Sequence, residues 1–148
     1  MNIETSNEEE TKALASEILN SIKKSSDHAT TIFLNGDLGA GKTTFAKGLA
    51  GALGVTEEIT SPTFVIQKIY KLKTGAPFKK LIHMDCYRLK TKEELFVLDI
   101  EEVLNNPDNL VLIEWPDKVR EILAKPSEEI DFTFIDENTR KIAYAEKN

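Results

Sequence analysis

Apolar residues recur along this chain at two spacings, and each switch between them predicts an element. Across residues 6–24 they fall at Leu14, Ile18 and Ile22, a four-residue step that places them on one face of a helix. Ser6 with Glu9 reads as a capping box at its start. Glu8, Glu9 and Glu10 suit the positive end of the helix dipole, and Lys23 and Lys24 suit the negative end. Residues 31–34, Thr-Ile-Phe-Leu, form a short β-branched and apolar run fit for a buried strand. Phe45, Leu49 and Leu53 then restore the helical step over 43–53. Two strands are predicted at 64–72 and 78–84, joined as a hairpin by Thr74-Gly75-Ala76-Pro77. Leu95, Leu98 and Val103 mark a helix over 91–104, opened by a second capping box, Thr91 with Glu94. Asn105-Asn106-Pro107-Asp108-Asn109 ends it. Leu110 to Ile113 is again wholly apolar, a second buried strand. A short helix is expected over 117–123, after Pro116. Ile130, Phe132 and Phe134 alternate along a half-buried strand over 129–135, and Asp136-Glu137-Asn138-Thr139 turns it into a last strand over 140–145.

This order predicts an α/β fold in one domain, 1–148. Its central sheet is mixed but mostly parallel and flanked by helices, with a β-hairpin insertion and a C-terminal hairpin. Between the first buried strand and its helix stands Gly36-Asp37-Leu38-Gly39-Ala40-Gly41-Lys42-Thr43, the pattern G-x-x-x-x-G-K-T. Strand, glycine loop and helix are the context that gives this pattern its meaning. Glycines let successive backbone N–H groups curl around phosphate oxygens, and the helix N-terminus adds partial positive charge. The loop residues Asp37, Leu38, Gly39, Ala40 and Gly41 would line the phosphates, with Thr44 following in the helix. Lys42 would reach the β- and γ-phosphates, and the Thr43 hydroxyl would bind Mg²⁺.

Two carboxylates end apolar strands, where metal-coupled acids sit beside such loops. Glu114 follows Ile113 in the Walker-B placement, next to the Mg²⁺ held by Thr43. A carboxylate there is too costly to desolvate to stand idle unless paired, so Glu114 is expected to do metal or general-base work, with a structural salt bridge as the alternative. Asp85 follows His83-Met84 and could hold a metal-bound water or orient the attacking one; a turn aspartate is the structural alternative. Thr63, on the Ser61-Pro62-Thr63-Phe64 turn, is placed to sense a γ-phosphate, with a plain Ser-Pro-Thr turn as its alternative. His83 reads first as a strand or core histidine, and Trp115 as a pocket wall or core. Arg88 could meet a phosphate or pair with a carboxylate.

Composition narrows the chemistry. A net charge of −6 disfavours direct, tight binding of nucleic acid by this chain alone. Cys86 is the single cysteine, so neither an internal disulfide nor a multi-cysteine metal site is available. No apolar run approaches a membrane span, the opening residues do not read as a signal peptide, and a cytoplasmic protein is expected. The guanine-reading N/T-K-x-D and the D-x-x-G of GTPases do not occur, so ATP is the expected nucleotide, with Mg²⁺. Arg88, Arg120 and Arg140 are the only arginines, too few for the arginine-rich lid of a small-molecule kinase. An ATPase is therefore favoured over such a kinase or a non-hydrolysing scaffold subunit.

Taken in order, the phosphate loop, Ser61-Pro62-Thr63-Phe64, His83-Met84-Asp85-Cys86-Tyr87-Arg88-Leu89 and Ile113-Glu114-Trp115-Pro116 resemble the bacterial TsaE (YjeE) ATPases. Phe64 stands where that family commonly has tyrosine, and Met84 and Cys86 replace aliphatic residues; none of these removes a group the chemistry needs. The resemblance implies an ATPase required for threonylcarbamoylation of the adenosine beside the anticodon of tRNA. It further implies activity that is weak alone and works on a complex of TsaB and TsaD, with tRNA held only through those partners. By the same resemblance, residues 39–44 hold the phosphates, Thr43 and Glu114 bind Mg²⁺, and Asp85 and Thr63 assist hydrolysis or sensing. Trp115 would line the site, and Glu9, Thr11 and Arg140 would approach the nucleotide.

Overall fold

The computed structural model describes residues 1–37, 39–60, 66–123 and 125–145. Among these residues seven strands form one sheet in the order β1-β7-β6-β2-β5-β4-β3. At its centre lie β2 (Thr30–Asn35), β5 (Asn109–Glu114), β4 (Lys80–Asp85) and β6 (Glu128–Phe134), all mutually parallel. The near-continuous apolar runs of β2 and β5 are what a strand covered on both faces requires. Alternate residues feed two cores. Ile32, Leu34, Leu110 and Leu112 pack under α1 (Glu8–Ser21) and α2 (Lys42–Ala52), whereas Phe33, Val111 and Ile113 pack on the other face.

The antiparallel elements lie toward the edges. β3 (Gln67–Lys71) pairs with β4 as the expected hairpin; the start of the predicted strand, 64–65, lies outside the described residues. β7 (Arg140–Tyr144) returns along β6, giving the expected C-terminal hairpin. Beyond it lies a strand the hydrophobic pattern did not announce, β1 (Asn2–Thr5), which pairs antiparallel with β7 in the register Ile3↔Ile142. Four residues are too few for alternation to stand out, and the partner strand supplies the order.

Three further expectations shift. The first helix is capped by Asn7, not Ser6: Asn7 Oδ1 accepts from the Glu10 backbone N–H at 2.8 Å, and Glu10 Oε1 reaches back to the Ser6 N–H at 3.2 Å. The later start lets Thr5 finish β1 and hydrogen-bond its buried hydroxyl to Thr11 at 2.7 Å. The helix expected over 91–104 is two pieces, α3 (Glu93–Phe96) and α4 (Ile100–Asn105), broken where Asp99 turns left-handed with φ 53°. On a continuous helix Leu95 and Ile100 would lie about 140° apart; the break brings both into one core with Leu104. Only a single 3₁₀ turn, Val119–Glu121, forms in the stretch expected to be helical after Pro116.

Helices α1 and α2 touch closely because Gly48 has no side chain. A Cβ there would meet the Lys12 backbone, Cα at 2.5 Å and the carbonyl oxygen at 2.8 Å. Gly48→Ala is therefore expected to lower stability by about 1–3 kcal/mol, as overpacking against backbone does, despite the better helix propensity of alanine. Urea unfolding of the two proteins measures this, and an unchanged midpoint would show that the helices separate freely.

Candidate phosphate-binding site

The site forms where β2, β4 and β5 end. Parallel strands bring their C-terminal ends to one edge, so Asn35, Asp85 and Glu114 finish side by side, with Asp85 directly opposite Glu114 in the ladder. The chain leaves β2 through Gly36, Gly39 and Gly41, which adopt φ of 144°, 81° and 105°. Such values favour glycine, and they turn the loop around a hollow. At Gly36 closeness adds to conformation, since a Cβ would lie 2.7 Å from the Phe132 carbonyl oxygen. Helix α2 then starts at Lys42, its first turn free of acidic residues, so its N-terminus is electropositive toward the hollow.

A cavity of about 230 Å³ occupies that hollow, lined by Gly39, Gly41, Lys42, Thr43, Thr44, Asp85, Glu114 and Arg140. The Lys42 side chain is folded into it and only 4% of the residue is exposed. Its Nζ donates to the Gly36 carbonyl oxygen at 2.5 Å and lies 4.1 Å from the centre of the Trp115 ring. Burial holds the ammonium below the usual lysine range, opposed by the negative charges of Glu114, Asp85 and Asp37. Trp115 reaches this position because its backbone is left-handed, φ 55°, immediately after β5. Tyr87 packs against Trp115, the ring centres 4.9 Å apart.

The two carboxylates differ in their support. Asp85 Oδ1 accepts from the Tyr87 backbone N–H at 3.0 Å. Glu114 Oε2 meets His83 Nε2 at 2.7 Å, and both residues are buried. Cys86, buried in the core with Phe33 and Ile113, has its thiol pushed up to about 12 by burial and by the charges of Asp85 and Glu114, so it is a packed apolar group and not a nucleophile. Among the described residues no three His, Cys, Asp or Glu side chains form a cage that could hold a metal by themselves. Mg²⁺ does not need one: it is held by one or two carboxylates together with substrate phosphates. Thr43, Asp85 and Glu114 beside a glycine cradle are a donor set that fits it.

A second cavity, about 290 Å³, adjoins the first and shares Gly41, Thr44 and Arg140 with it. Asn7, Glu8, Thr11, Glu137 and Asn138 complete its lining. Thr11 is thus at the wall of this cavity. Glu9 lines neither cavity; its carboxylate is 85% exposed and pairs with Lys12 at 3.7 Å. Arg140 spans the two, its NH1 donating to the backbone oxygens of Asp136 and Thr139 and its guanidinium 4.8 Å from the Phe134 ring centre. Asp37 is exposed at the loop, Ala40 is buried beneath it, and Arg88 is exposed. Leu38 and Thr63 lie outside the described residues. Asn7, Glu137 and Asn138 carried no functional signal in the sequence; only the packing of β1, α1 and the last hairpin brings them together. A larger cavity of about 460 Å³ lies at the opposite end of β2, beside Ala29, Leu104 and Pro126, away from the glycine loop.

The chain matches the family model described as threonylcarbamoyl adenosine biosynthesis protein TsaE over residues 5–142. It is 41% identical over 135 residues to the tRNA threonylcarbamoyladenosine biosynthesis protein TsaE of Rickettsia felis, covering 90% of this chain and 73% of that protein. The Bacillus subtilis protein of the same name is 37% identical over 140 residues, covering 95% and 82% of the two chains. A crystal structure of Bacillus subtilis YdiB superposes with a TM-score of 0.64 at 32% identity, over 97% of this chain and 83% of that one.

Proposed function

Because the chain belongs to the TsaE family of threonylcarbamoyl adenosine biosynthesis proteins, we propose that its glycine-loop site binds Mg²⁺–ATP and hydrolyses it in the service of tRNA threonylcarbamoyladenosine formation. One observation carries the reading. A cradle of left-handed glycines, a buried lysine and two strand-end carboxylates line the same cavity, the combination that polyphosphate and a divalent cation require together.

In this mechanism the backbone N–H groups of 39–44 and the start of α2 hold the phosphate oxygens. Lys42 exchanges its Gly36 contact for the β- and γ-phosphates, where its charge balances the charge that builds on them. Thr43 and Glu114 would hold Mg²⁺, which supplies Lewis-acid stabilisation of the phosphate oxygens when bound. Asp85, fixed by the Tyr87 N–H, orients the water that attacks the γ-phosphorus and releases ADP. Thr63 is proposed to sense the γ-phosphate. The adjoining cavity, with Thr11 and Arg140, is where the nucleoside end of ATP extends. The net charge of −6 suits a protein that meets tRNA only through partners, proposed to be TsaB- and TsaD-type proteins in the cytoplasm. No described helix is long and apolar enough to cross a membrane.

The test is ATP hydrolysis by the purified chain, with and without Mg²⁺, alone and with TsaB and TsaD. Slow Mg²⁺-dependent turnover that rises at least tenfold with the partners is expected. Phosphate transfer to a small acceptor in place of water would instead establish a kinase.

A further inference from the structure

We propose that His83 is a positioning residue for Glu114: its Nε2–H holds the carboxylate so that Glu114 and Lys42 remain separately available to metal and phosphate. The proposal rests on reading the cavity as a Mg²⁺–nucleotide site.

The placement follows from the ladder. Side chains alternate along β4, so His83 and Asp85 share one face. Asp85 lies opposite Glu114, which puts His83 diagonally across from Glu114 on the face that carries the glycine loop. The 2.7 Å contact is therefore built by the strand register and does not depend on a flexible arm. His83 is 1% exposed and Glu114 3%, so water does not compete for the bond.

Acceptor chemistry sets its direction. A carboxylate only accepts, so Nε2 is the nitrogen that carries the proton. Nδ1 is buried and has no hydrogen-bond partner among the described residues. His83 thus orients Glu114 through a single bond.

The alternative partner for Glu114 at the cavity wall is Lys42, whose ammonium feels the carboxylate charge. A direct Lys42–Glu114 pair would occupy the two groups that phosphate and metal need. Instead Lys42 is directed to the Gly36 oxygen and the Trp115 ring, and the bond that Glu114 receives comes from His83. A group that hydrogen-bonds a metal ligand from behind commonly changes metal affinity by about 10–100-fold.

ADP binding to the purified full chain, measured calorimetrically in EDTA and across a Mg²⁺ titration, tests this with His83→Leu and His83→Gln. The leucine removes the donor; the glutamine carboxamide places an N–H near the former Nε2. His83→Leu should bind ADP in EDTA within about twofold of the parent but need roughly tenfold more Mg²⁺ for half-saturation, and His83→Gln should recover most of that loss. Should His83→Leu not fold, His83→Asn replaces it: the same amide on a shorter arm cannot reach Glu114, so glutamine must still outperform asparagine. In the nucleotide-free parent, nitrogen NMR should show a slowly exchanging proton on His83 Nε2. Parent-like Mg²⁺ dependence in the leucine variant, equal impairment of glutamine and its comparator, or an Nε2 that carries no proton would each overturn the proposal. If the parent itself gains no ADP affinity from Mg²⁺, the metal–nucleotide reading falls first and takes the positioning role with it.

Discussion

Lys42→Ala is expected to reduce ATP turnover by on the order of 100-fold or more and to weaken nucleotide binding by about 10-fold or more, the loss of one charge-assisted contact to phosphate. Fold stability should not fall with it. The Lys42 ammonium is buried, held below the usual lysine range by that burial, and satisfied by one backbone oxygen and an aromatic face. Removing a desolvated charge relieves a cost, so an apolar Lys42→Met chain should melt at or above the parent temperature. The pH dependence has a definite sign. Between the lowered folded value and the ordinary value of 10.5, the unfolded chain binds the proton more tightly than the folded one. The parent should therefore gain stability relative to Lys42→Met as pH rises through that window, and show a constant deficit below it. Chemical denaturation of both proteins at several pH values measures the difference. Parent-level ATPase in Lys42→Ala would remove the phosphate loop from the mechanism.

Glu114→Gln should lose Mg²⁺-dependent turnover by on the order of 100-fold while keeping its melting temperature close to that of the parent. The amide oxygen still accepts from His83 Nε2–H, so the buried bond survives, but the charge that would hold Mg²⁺ is gone. Glu114→Ala is a different experiment. It also strands the buried His83 N–H, at a cost of about 1–3 kcal/mol, so loss of activity and loss of stability arrive together. The sequence framed Glu114 as either a metal ligand or general base, or half of a structural pair. The structure shows a paired carboxylate at the cavity wall, which is compatible with both roles, and only the isosteric amide separates them. Retained Mg²⁺-dependent turnover in Glu114→Gln would assign the carboxylate a structural role alone.

The central strands and their order of use were legible in the sequence because they are buried on both faces. Leu110 to Ile113 and residues 31–34 are unbroken apolar runs, and such runs have few other homes. The glycine loop was legible for a conformational reason: positive φ at Gly36, Gly39 and Gly41 leaves its mark in residue type. Both hairpins followed from turn chemistry in the same way. Each of these is a local requirement, decided within a few residues of chain.

What only the tertiary structure decided is everything that depends on a distant partner. β1 exists because β7 offers it an edge, and the break at Asp99 exists because Leu95 and Ile100 must reach one core. The helix start moved to Asn7 because Thr5 and Thr11 meet across the β1–α1 corner. The same holds at the site. Local pattern marked Lys42, Asp85 and Glu114 one by one, but the bond from His83 to Glu114 is a product of strand register, 31 residues apart in sequence. Side-chain type and local spacing can announce a loop that holds phosphate. Which groups stand behind its carboxylates is set by how the strands align, because hydrogen bonds of this kind act over a few ångströms of space and not along the chain.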